Sequence, residues 1–482
     1  MKKYHLVIAV ILSLLIGSAG TYTSMSWFNN QAKKDQPNNF YRPMEKSEVD
    51  FTKVKRAYEV IKNGYVEDVD RKQLIDGAVQ GMLSTLEDPY SVYMDEEKSV
   101  QFNQSLDSSF EGIGAEIGEV EGKIIILSPY KNSPAEKAGL KPYDQILQID
   151  GEDVTNFDLL DVTLKIRGKK GTAVSLVIRR EGITSPITIE VIRDMIPIET
   201  VYSQLFDSGQ DRIGYIEITS FSRDTGKDFS HHLKQLEKKE ITGLIIDVRG
   251  NPGGLLPTVE EIASQLVTSK KPILQIEQRN GNRESIHSKL KKKKDYPMVV
   301  LTDKGSASAS EILAAALQEG EGYPVIGENS FGKGTVQQQF DLGDNSHIKL
   351  TLLKWLTPDG NWIHGKGIVP DIPIKQADLY HLHPLQIDTA LKRDMNNEQV
   401  KYAQLILKSI GFEPGRTDGY FSETTEYAVK AFQQEVNLSS NGIIDQVTAN
   451  AMEEKVKKMM ADVKNDRQLQ TAIKYLQHQK NE

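Results

Sequence analysis

Three short runs hold residues able to do covalent chemistry. Lys304 to Ile312 reads LysGlySerAlaSerAlaSerGluIle and precedes an apolar helical run, Leu313 to Leu317. Small residues around a serine let backbone and substrate approach closely. A helix starting here also brings its free N–H groups near that serine. Alone, the run reads equally as a flexible loop or a helix cap. Ser330 to Gln337 places Lys333 between two glycines, clear of side-chain crowding. In an extended strand positions 333 and 337 face the same side, so Gln337 can hydrogen-bond the Lys333 amine. By itself Lys333 is also a plausible surface lysine. The third run, Asp247 to Gly254, continues a strand-like Leu244 to Val248 into AsnProGlyGly. Pro-Gly-Gly at a strand end exposes backbone N–H groups, the parts of an oxyanion hole, and is also what a tight turn uses.

A fourth run points to binding. Gly112-Ile113-Gly114-Ala115 stands directly before a strand-like segment. Successive N–H groups in a glycine loop form a nest for a carboxylate, and an adjacent open strand edge can pair with an extended peptide. A Gly-x-Gly is also a common turn.

Composition narrows the chemistry. The 482 residues contain no cysteine. That excludes disulfides, thiolate metal sites and a cysteine nucleophile, leaving Ser, Thr, Lys or a carboxylate for covalent catalysis. No HExxH pattern calls for zinc, no feature calls for a cofactor, and the nine histidines fit no triad. His364 reads as structural. The 59 basic and 67 acidic side chains give a net charge of −8, which offers no reason to expect nucleic-acid binding. Lys291 to Lys294 reads as a solvated loop, with no aromatics interleaved.

The elements that must carry these residues follow from periodicity, and the length suggests about three domains. Met1-Lys2-Lys3 leads into an apolar run from Leu6 to Ala19, and no charge appears until Lys33. This is a signal peptide or a retained membrane anchor, which places the bulk of the chain outside the cytoplasm. Phe51, Val54, Tyr58, Ile61 and Tyr65 recur at helical spacing, and a second helix follows through Leu74, Ala78, Met82 and Leu86. Phe110 to Val191 is β-rich, with short helices after Ser133 and near Asn156 to Arg167. Arg212 to Asp371 alternates strand and helix, with IGYIEI, LIIDV, PILQI, MVVLT and PVIGE as buried strands of an α/β core. Asn396 to Lys458 is helical, with Ala403, Leu407, Ala428, Phe432 and Met452 as its apolar positions. The charged remainder forms a helix or frays.

Ser133 to Val154 together with the GIGA run resembles a PDZ domain. That implies capture of a peptide's terminal carboxylate by Gly112, Ile113, Gly114 and Ala115. Arg167, at the end of the second short helix and before a Gly-Lys-Lys-Gly turn, reads as a solvated surface arginine or as a sensor of bound peptide charge. The three chemical runs in this order, with Gly77 to Leu83 and Gly365 to Asp371, resemble the carboxy-terminal processing peptidases, or tail-specific proteases. The resemblance spans Gly64 to Asp371. It implies a crotonase-like core and a serine–lysine dyad. Carried over by position, Ser308 is the nucleophile, Lys333 the base and Gln337 its support. Gly253 and Ala309 are the expected oxyanion donors, with Gly254 an equal neighbour. Lysine is a poor base unless burial lowers its pKa, so Lys333 must be desolvated with no carboxylate beside it. Gly411 to Phe421, Thr424 to Gln434 and Asn441 to Thr448 resemble a peptidoglycan-binding module.

The expectation is a multi-domain α/β protein: a protease core with an inserted β-rich PDZ domain, a helical N-terminal region and a small all-α C-terminal module. Its parts are a signal peptide or anchor (1–28), a linker (29–43), a dimerising helical region (44–106) and the PDZ domain (107–192). The protease core (193–380), the wall-binding module (396–458) and a charged tail (459–482) follow. Expected partners are protein C-termini, peptidoglycan, a membrane through the N-terminus and a second copy of the chain. The expected setting is a cell membrane, cell wall or intermembrane space, in quality control or a regulated step such as sporulation signalling. Two other readings stand beside it: an inactive PDZ and cell-wall scaffold, and an acyl-CoA enzyme of the same fold type.

Overall fold

Strand-forming runs and amphipathic helices alternate through most of the chain, and their faces decide where each packs. The computed structural model describes residues 50–479 apart from 121, 131, 181, 182, 184, 383, 384, 386 and 388. The proposed signal peptide or anchor and the linker lie outside the described residues. No helix among the described residues is long and apolar enough to cross a membrane. The chain divides into two units, 1–81 and 82–482.

Helices α1 (Thr52–Gly64) and α2 (Arg71–Ser84) follow the apolar spacing read above. Phe51, Val54, Ile61 and Tyr65 are exposed. The region expected to be purely helical then contains a strand. β1 (Val92–Met94), a β-branched and aromatic run, pairs antiparallel with a later strand. Helix α3 (Glu96–Leu106) follows, capped by Asp95, whose carboxylate accepts from the Lys98 N–H.

A two-stranded ribbon brackets the PDZ segment: β2 (Ser109–Gly112) pairs with the strand at 194–197, Ser109 opposite Pro197 and Gly112 opposite Asp194. Between them lie β3 (Ala115–Val120), β4 (Lys123–Pro129), helix α4 (Pro134–Lys137), β5 (Gln145–Ile149) and β6 (Glu152–Asp153). Helix α5 (Leu159–Ile166), β7 (Ala173–Arg179) and β8 (Ile187–Ile192) complete the segment, and β9 (Asp194–Pro197) closes the ribbon. The sheet runs β3-β4-β5-β7-β8, which leaves β3 at an edge. Alternating Val174, Leu176 and Ile178 are fully buried in its core.

The α/β core is a six-stranded sheet. Its strands are β10 (Val201–Asp207), β11 (Arg212–Ile218) and β12 (Gly243–Asp247). Helices α6 (Thr225–Glu237) and α7 (Leu256–Ala263) flank β12 in sequence. Next come β13 (Leu274–Glu277), β14 (Arg283–Ile286), β15 (Met298–Thr302), α8 (Ala309–Glu321) and β16 (Val325–Gly327). The hairpin β17 (Thr335–Asp341) and β18 (His347–Leu356) precedes β19 (Ile372–Pro373). The main order is β10-β11-β12-β15-β16-β19, parallel except for β10 against β11. The PILQI run forms a strand, as expected, but outside the main sheet. It forms β13 in a second, antiparallel sheet, β1-β18-β13-β14, with β17 on β18. Its Leu274, Gln275, Ile276, Glu277 alternation suits one buried face, whereas β12 and β15 are buried on both.

Helices α9 (Glu398–Ser409), α10 (Glu423–Glu435) and α11 (Gln446–Ala461) make the C-terminal module. Its core contains all five predicted apolar positions, Ala403, Leu407, Ala428, Phe432 and Met452. Of the two outcomes expected for the tail, the helix is the one found among its described residues. It is α12 (Arg467–Gln479), whose Leu469, Ala472 and Leu476 pack with Ile213, Ile245, Val299, Leu301 and Ile326 of the main sheet. The approach is close enough that a Cβ on Gly243 would lie 3.2 Å from the Leu476 side chain.

Candidate active site

Ligands of parallel α/β sheets bind beyond the carboxyl ends of the strands. Strands β12 and β15 are neighbours there, so the loop carrying Gly253 and the loop carrying Ser308 emerge side by side. Asn251, fully buried, joins them. Its carbonyl accepts from the Ala307 N–H (3.0 Å) and the Ser310 hydroxyl (2.8 Å), while its amide donates to Ile218 O (2.7 Å). A Cβ on Gly253 would lie 2.7 Å from Ala307 O, 2.9 Å from Ser308 Cβ and 3.0 Å from Ala309 N. Gly253 has φ +101, in the region that favours glycine.

Ser308 caps α8 at φ 55, ψ −111, a conformation that costs a non-glycine residue about 1–3 kcal/mol. Glu311 holds it there. Ser308 and Glu311 form a capping box, in which the Ser308 N–H donates to Glu311 Oε2 at 2.8 Å. The same oxygen accepts from the Lys333 N–H at 2.8 Å, and Oε1 accepts from the Gly332 N–H and the Ser330 hydroxyl, both at 2.6 Å. Glu311 is fully buried. Sequence reasoning missed it, although Ser-x-x-Glu before an apolar run is a capping-box pattern.

Lys333 is fixed through its backbone on both sides. Its N–H goes to Glu311, and its carbonyl accepts from the fully buried Trp355 indole at 2.7 Å. Its side chain is half-buried, with Nζ 5.0 Å from the Tyr90 ring centroid. Burial, and then the positive charge of Lys349, hold its pKa below the ordinary lysine value. The expectation of no neighbouring carboxylate needs correction: Asp88 and Glu311 both pull this pKa upward, without cancelling the burial effect. Each has its oxygens committed elsewhere. Asp88 accepts from the Ser91 hydroxyl and the Tyr90 N–H, and Glu311 from its four donors. No hydrogen bond joins Lys333 Nζ to Ser308 among the described residues.

Two predicted details differ. Gln337 donates to the hydroxyls of Thr335 (3.0 Å) and Thr351 (3.1 Å), with no hydrogen bond to Lys333 among the described residues. Strand β17 begins only at Thr335, and its register shifts between Val336 and Gln337, so the assumed alternation from position 333 fails. The Gly253 N–H donates to Asn251 Oδ1 at 2.8 Å, so this expected oxyanion donor is turned inward. Ala309 is the first residue of α8, beside Ser308.

In the PDZ segment Gly112 ends β2, Gly114 has φ +73 and Ala115 opens the edge strand β3. Ile113 is buried, and its carbonyl accepts from the Ala135 N–H at 2.8 Å. Arg167 follows α5. It lies over the Phe110 ring at 5.3 Å and donates to Gln104 of α3 at 2.7 Å. The candidate sensor thus touches the segment joining PDZ and protease. His364 stacks on Trp362 and accepts weakly from the Gly334 N–H at 3.3 Å.

Residues 212–374 match Peptidase family S41, 100–179 a PDZ domain, 396–452 a putative peptidoglycan binding domain and 14–98 the Activating protease CtpB N-terminal domain. The chain belongs to the carboxy-terminal processing proteases of family S41, and it is a serine peptidase carrying a PDZ domain. Carboxy-terminal processing protease CtpB of Bacillus subtilis is 54% identical over 477 residues, 98% of each chain. Carboxy-terminal processing protease CtpA of the same organism is 42% identical, over 88% of this chain and 90% of its own. The solved Photosystem II D1 C-terminal processing protease is 28% identical, covering 68% of this chain and 87% of that one, at TM-score 0.42.

Two outcomes follow from this geometry. Glu311→Gln replaces an acceptor-only group by one that presents N–H to two of the four donors. Hydrogen bonds to a charged group contribute about 1.5–3 kcal/mol each, so the variant should lose several kcal/mol and most peptidase activity. A melting temperature and turnover equal to wild type would contradict the role given to Glu311. For Lys333, the lowered pKa means that the unfolded chain binds more protons between the folded value and 10.5, so wild-type stability rises with pH across that window. Lys333→Met should therefore raise the melting temperature at pH 7, and the gain should shrink as pH approaches 10.5. A lower melting temperature at pH 7 would show that burial does not penalise the lysine charge.

Proposed function

We propose that this chain is an extracytoplasmic endopeptidase that docks protein C-termini on its PDZ domain and cleaves them with a Ser308–Lys333 dyad. The observation that carries this reading is the Glu311 carboxylate, which binds the backbone N–H of both residues. Neutral Lys333 takes the Ser308 Oγ proton as Oγ attacks the scissile carbonyl carbon. The Ala309 N–H receives the developing oxyanion, joined by the Gly253 N–H once it leaves Asn251. Lys333 then protonates the leaving amine, and water hydrolyses the acyl-enzyme. Gln337 supports the lysine after a rotation away from its two threonines.

Lys333 Nζ beside Tyr90, with no bond to Ser308, fits a resting state. Peptide bound at Gly112 to Ala115 would be sensed by Arg167 and passed through Gln104 to the protease. The peptidoglycan-binding match and the similarity to CtpB support a cell-envelope location, membrane-anchored or secreted. The exposed apolar positions of α1 support a homodimer. Pull-down with peptidoglycan sacculi and light scattering of the purified chain check these two partners. The substrate role, quality control or a regulated step such as sporulation, is readable by mass spectrometry of envelope proteins with and without Ser308.

Ser308→Ala and Lys333→Ala should each lower casein-like proteolysis by at least about 10³-fold. Equal cleavage by Ser308→Ala and wild type would remove Ser308 from the mechanism. Absence of cleavage by either would favour the scaffold reading. Amidating the C-terminus of a peptide substrate should weaken its cleavage by wild type and leave Arg167→Ala nearly indifferent to the change. Equal rates for free and amidated substrates would end the docking idea.

A further inference from the structure

Behind the Gly253 loop lies a buried charge cluster that the mechanism does not use. Arg249 stands four residues before Gly253. Its guanidinium donates to Asp247 Oδ2 at 2.6 Å, to Asp466 Oδ1 and Oδ2 at 3.0 and 2.8 Å, and to Gln468 Oε1 at 2.9 Å. Asp247 also accepts from the Arg249 N–H (3.0 Å) and the Tyr215 hydroxyl (2.9 Å). The side chains of Arg249, Asp247 and Asp466 are 17%, 4% and 9% exposed. An arginine held bidentately by carboxylates on both sides has little rotational freedom.

Asp466 immediately precedes α12, whose Leu469 N–H it accepts at 2.9 Å. It comes from beyond the helical module, 217 residues after Arg249. The chain leading into that module meets it here. Gln376 donates to Asp466 Oδ1 at 2.7 Å and accepts from the Arg467 N–H at 3.1 Å, and Gln468 donates to Ile374 O at 2.9 Å. Both stems of the C-terminal module therefore close on Arg249.

We propose that Asp466 is a positioning residue for the loop Gly250–Gly254: by clamping Arg249 it makes the stem of the C-terminal module part of the scaffold that sets the oxyanion donors. The catalytic consequence rests on the role given to that loop under Proposed function. The clamp itself does not. Burial would raise the Asp466 pKa, but hydrogen bonds and charge from Arg249 hold it below the ordinary aspartate value, so the clamp is charged at neutral pH. Losing Asp466 would leave Arg249 paired with Asp247 on one side only, and the guanidinium and the loop above it would sample other conformations.

The test uses the full chain with Ser308 intact for kinetics and Ser308→Ala for exchange. Asp466→Asn should speed amide exchange of the segment 250–254 at least about tenfold and lower kcat at least about tenfold, with KM within twofold. Asp466→Glu should restore part of both. If Arg249 is the intermediary, adding Asp466→Asn to Arg249→Met should change kcat by less than twofold. Unchanged exchange at 250–254 would overturn the clamp, as would kcat losses that multiply in the double variant. Faster exchange with unchanged kcat would keep the clamp and instead overturn the oxyanion role of the loop. Should Asp466→Asn fail to fold, Gln468→Leu removes a single acceptor from Arg249. It should then speed exchange at 250–254 by a few-fold, and no change would again count against the clamp.

Discussion

A single buried carboxylate organises the candidate active site. Taking an ionised glutamate out of water costs several kcal/mol unless its oxygens are satisfied. Glu311 is satisfied by three backbone N–H groups and one hydroxyl, two donors on each oxygen. Only an acceptor-only group can take four donors at once, which is why neither an amide nor a hydroxyl would serve. The arrangement holds Ser308 in a strained backbone conformation and places the Lys333 segment against the same turn. Strain at the proposed nucleophile and placement of the proposed base are thus stabilised by one set of hydrogen bonds.

That solution creates an electrostatic conflict. A carboxylate near a lysine favours the charged lysine, whereas a general base must lose its proton. The protein sets burial and Lys349 against Glu311 and Asp88, and burial wins. The orientation of the acceptors matters as much as their distance. Glu311 spends its oxygens on the backbone of Lys333 and its neighbours. Asp88 spends its own on Tyr90 and Ser91. The lysine amine is flanked by the Tyr90 ring, 5.0 Å from its centroid, rather than by a free carboxylate oxygen. The carbonyl of Lys333 is anchored by Trp355, so the backbone stays fixed while the side chain can turn.

Much of this was legible in the sequence wherever chemistry and local pattern coincide. The small-residue run at Ser308, the glycine-flanked Lys333 and the Pro-Gly-Gly loop were readable as parts. So were the strand runs of the main sheet and the five core positions of the C-terminal module. Long-range pairings were not. Tyr90 and Asp88 reach Lys333 through β1, a three-residue strand with no period to detect. The partners of Gln337 are not legible from alternation, because the strand begins only at Thr335 and its register shifts before Gln337. The PILQI run is legible as a strand but not as a member of the second sheet, since apolar runs do not announce their partners. Glu311 was legible in principle from the Ser-x-x-Glu spacing. Its convergence on the Lys333 segment was not, because those partners lie 19 to 22 residues away.

The last helix has a physical reason to form. A parallel sheet must be covered on both faces. In β12 the side chains of Leu244 and Ile246 join the cluster under α6, α7 and α8, while Ile245 faces the other way. Val299 and Leu301 of β15 face the same way as Ile245, again opposite Met298 and Val300. Three helices cover the first face, and α12 is the helix packed on the second. Its charged residues are the solvent side of an amphipathic helix, and Leu469, Ala472 and Leu476 are the other side. The helical module between β19 and α12 therefore sits inside the protease fold. Its two stems join at Asp466 and Gln376, one strand-end away from the loop that faces Ser308. The stems of a domain inserted in this way are tied to the sheet it interrupts through the hydrogen bonds of Asp466 with Arg249 and Gln376, and of Gln468 with Arg249 and Ile374.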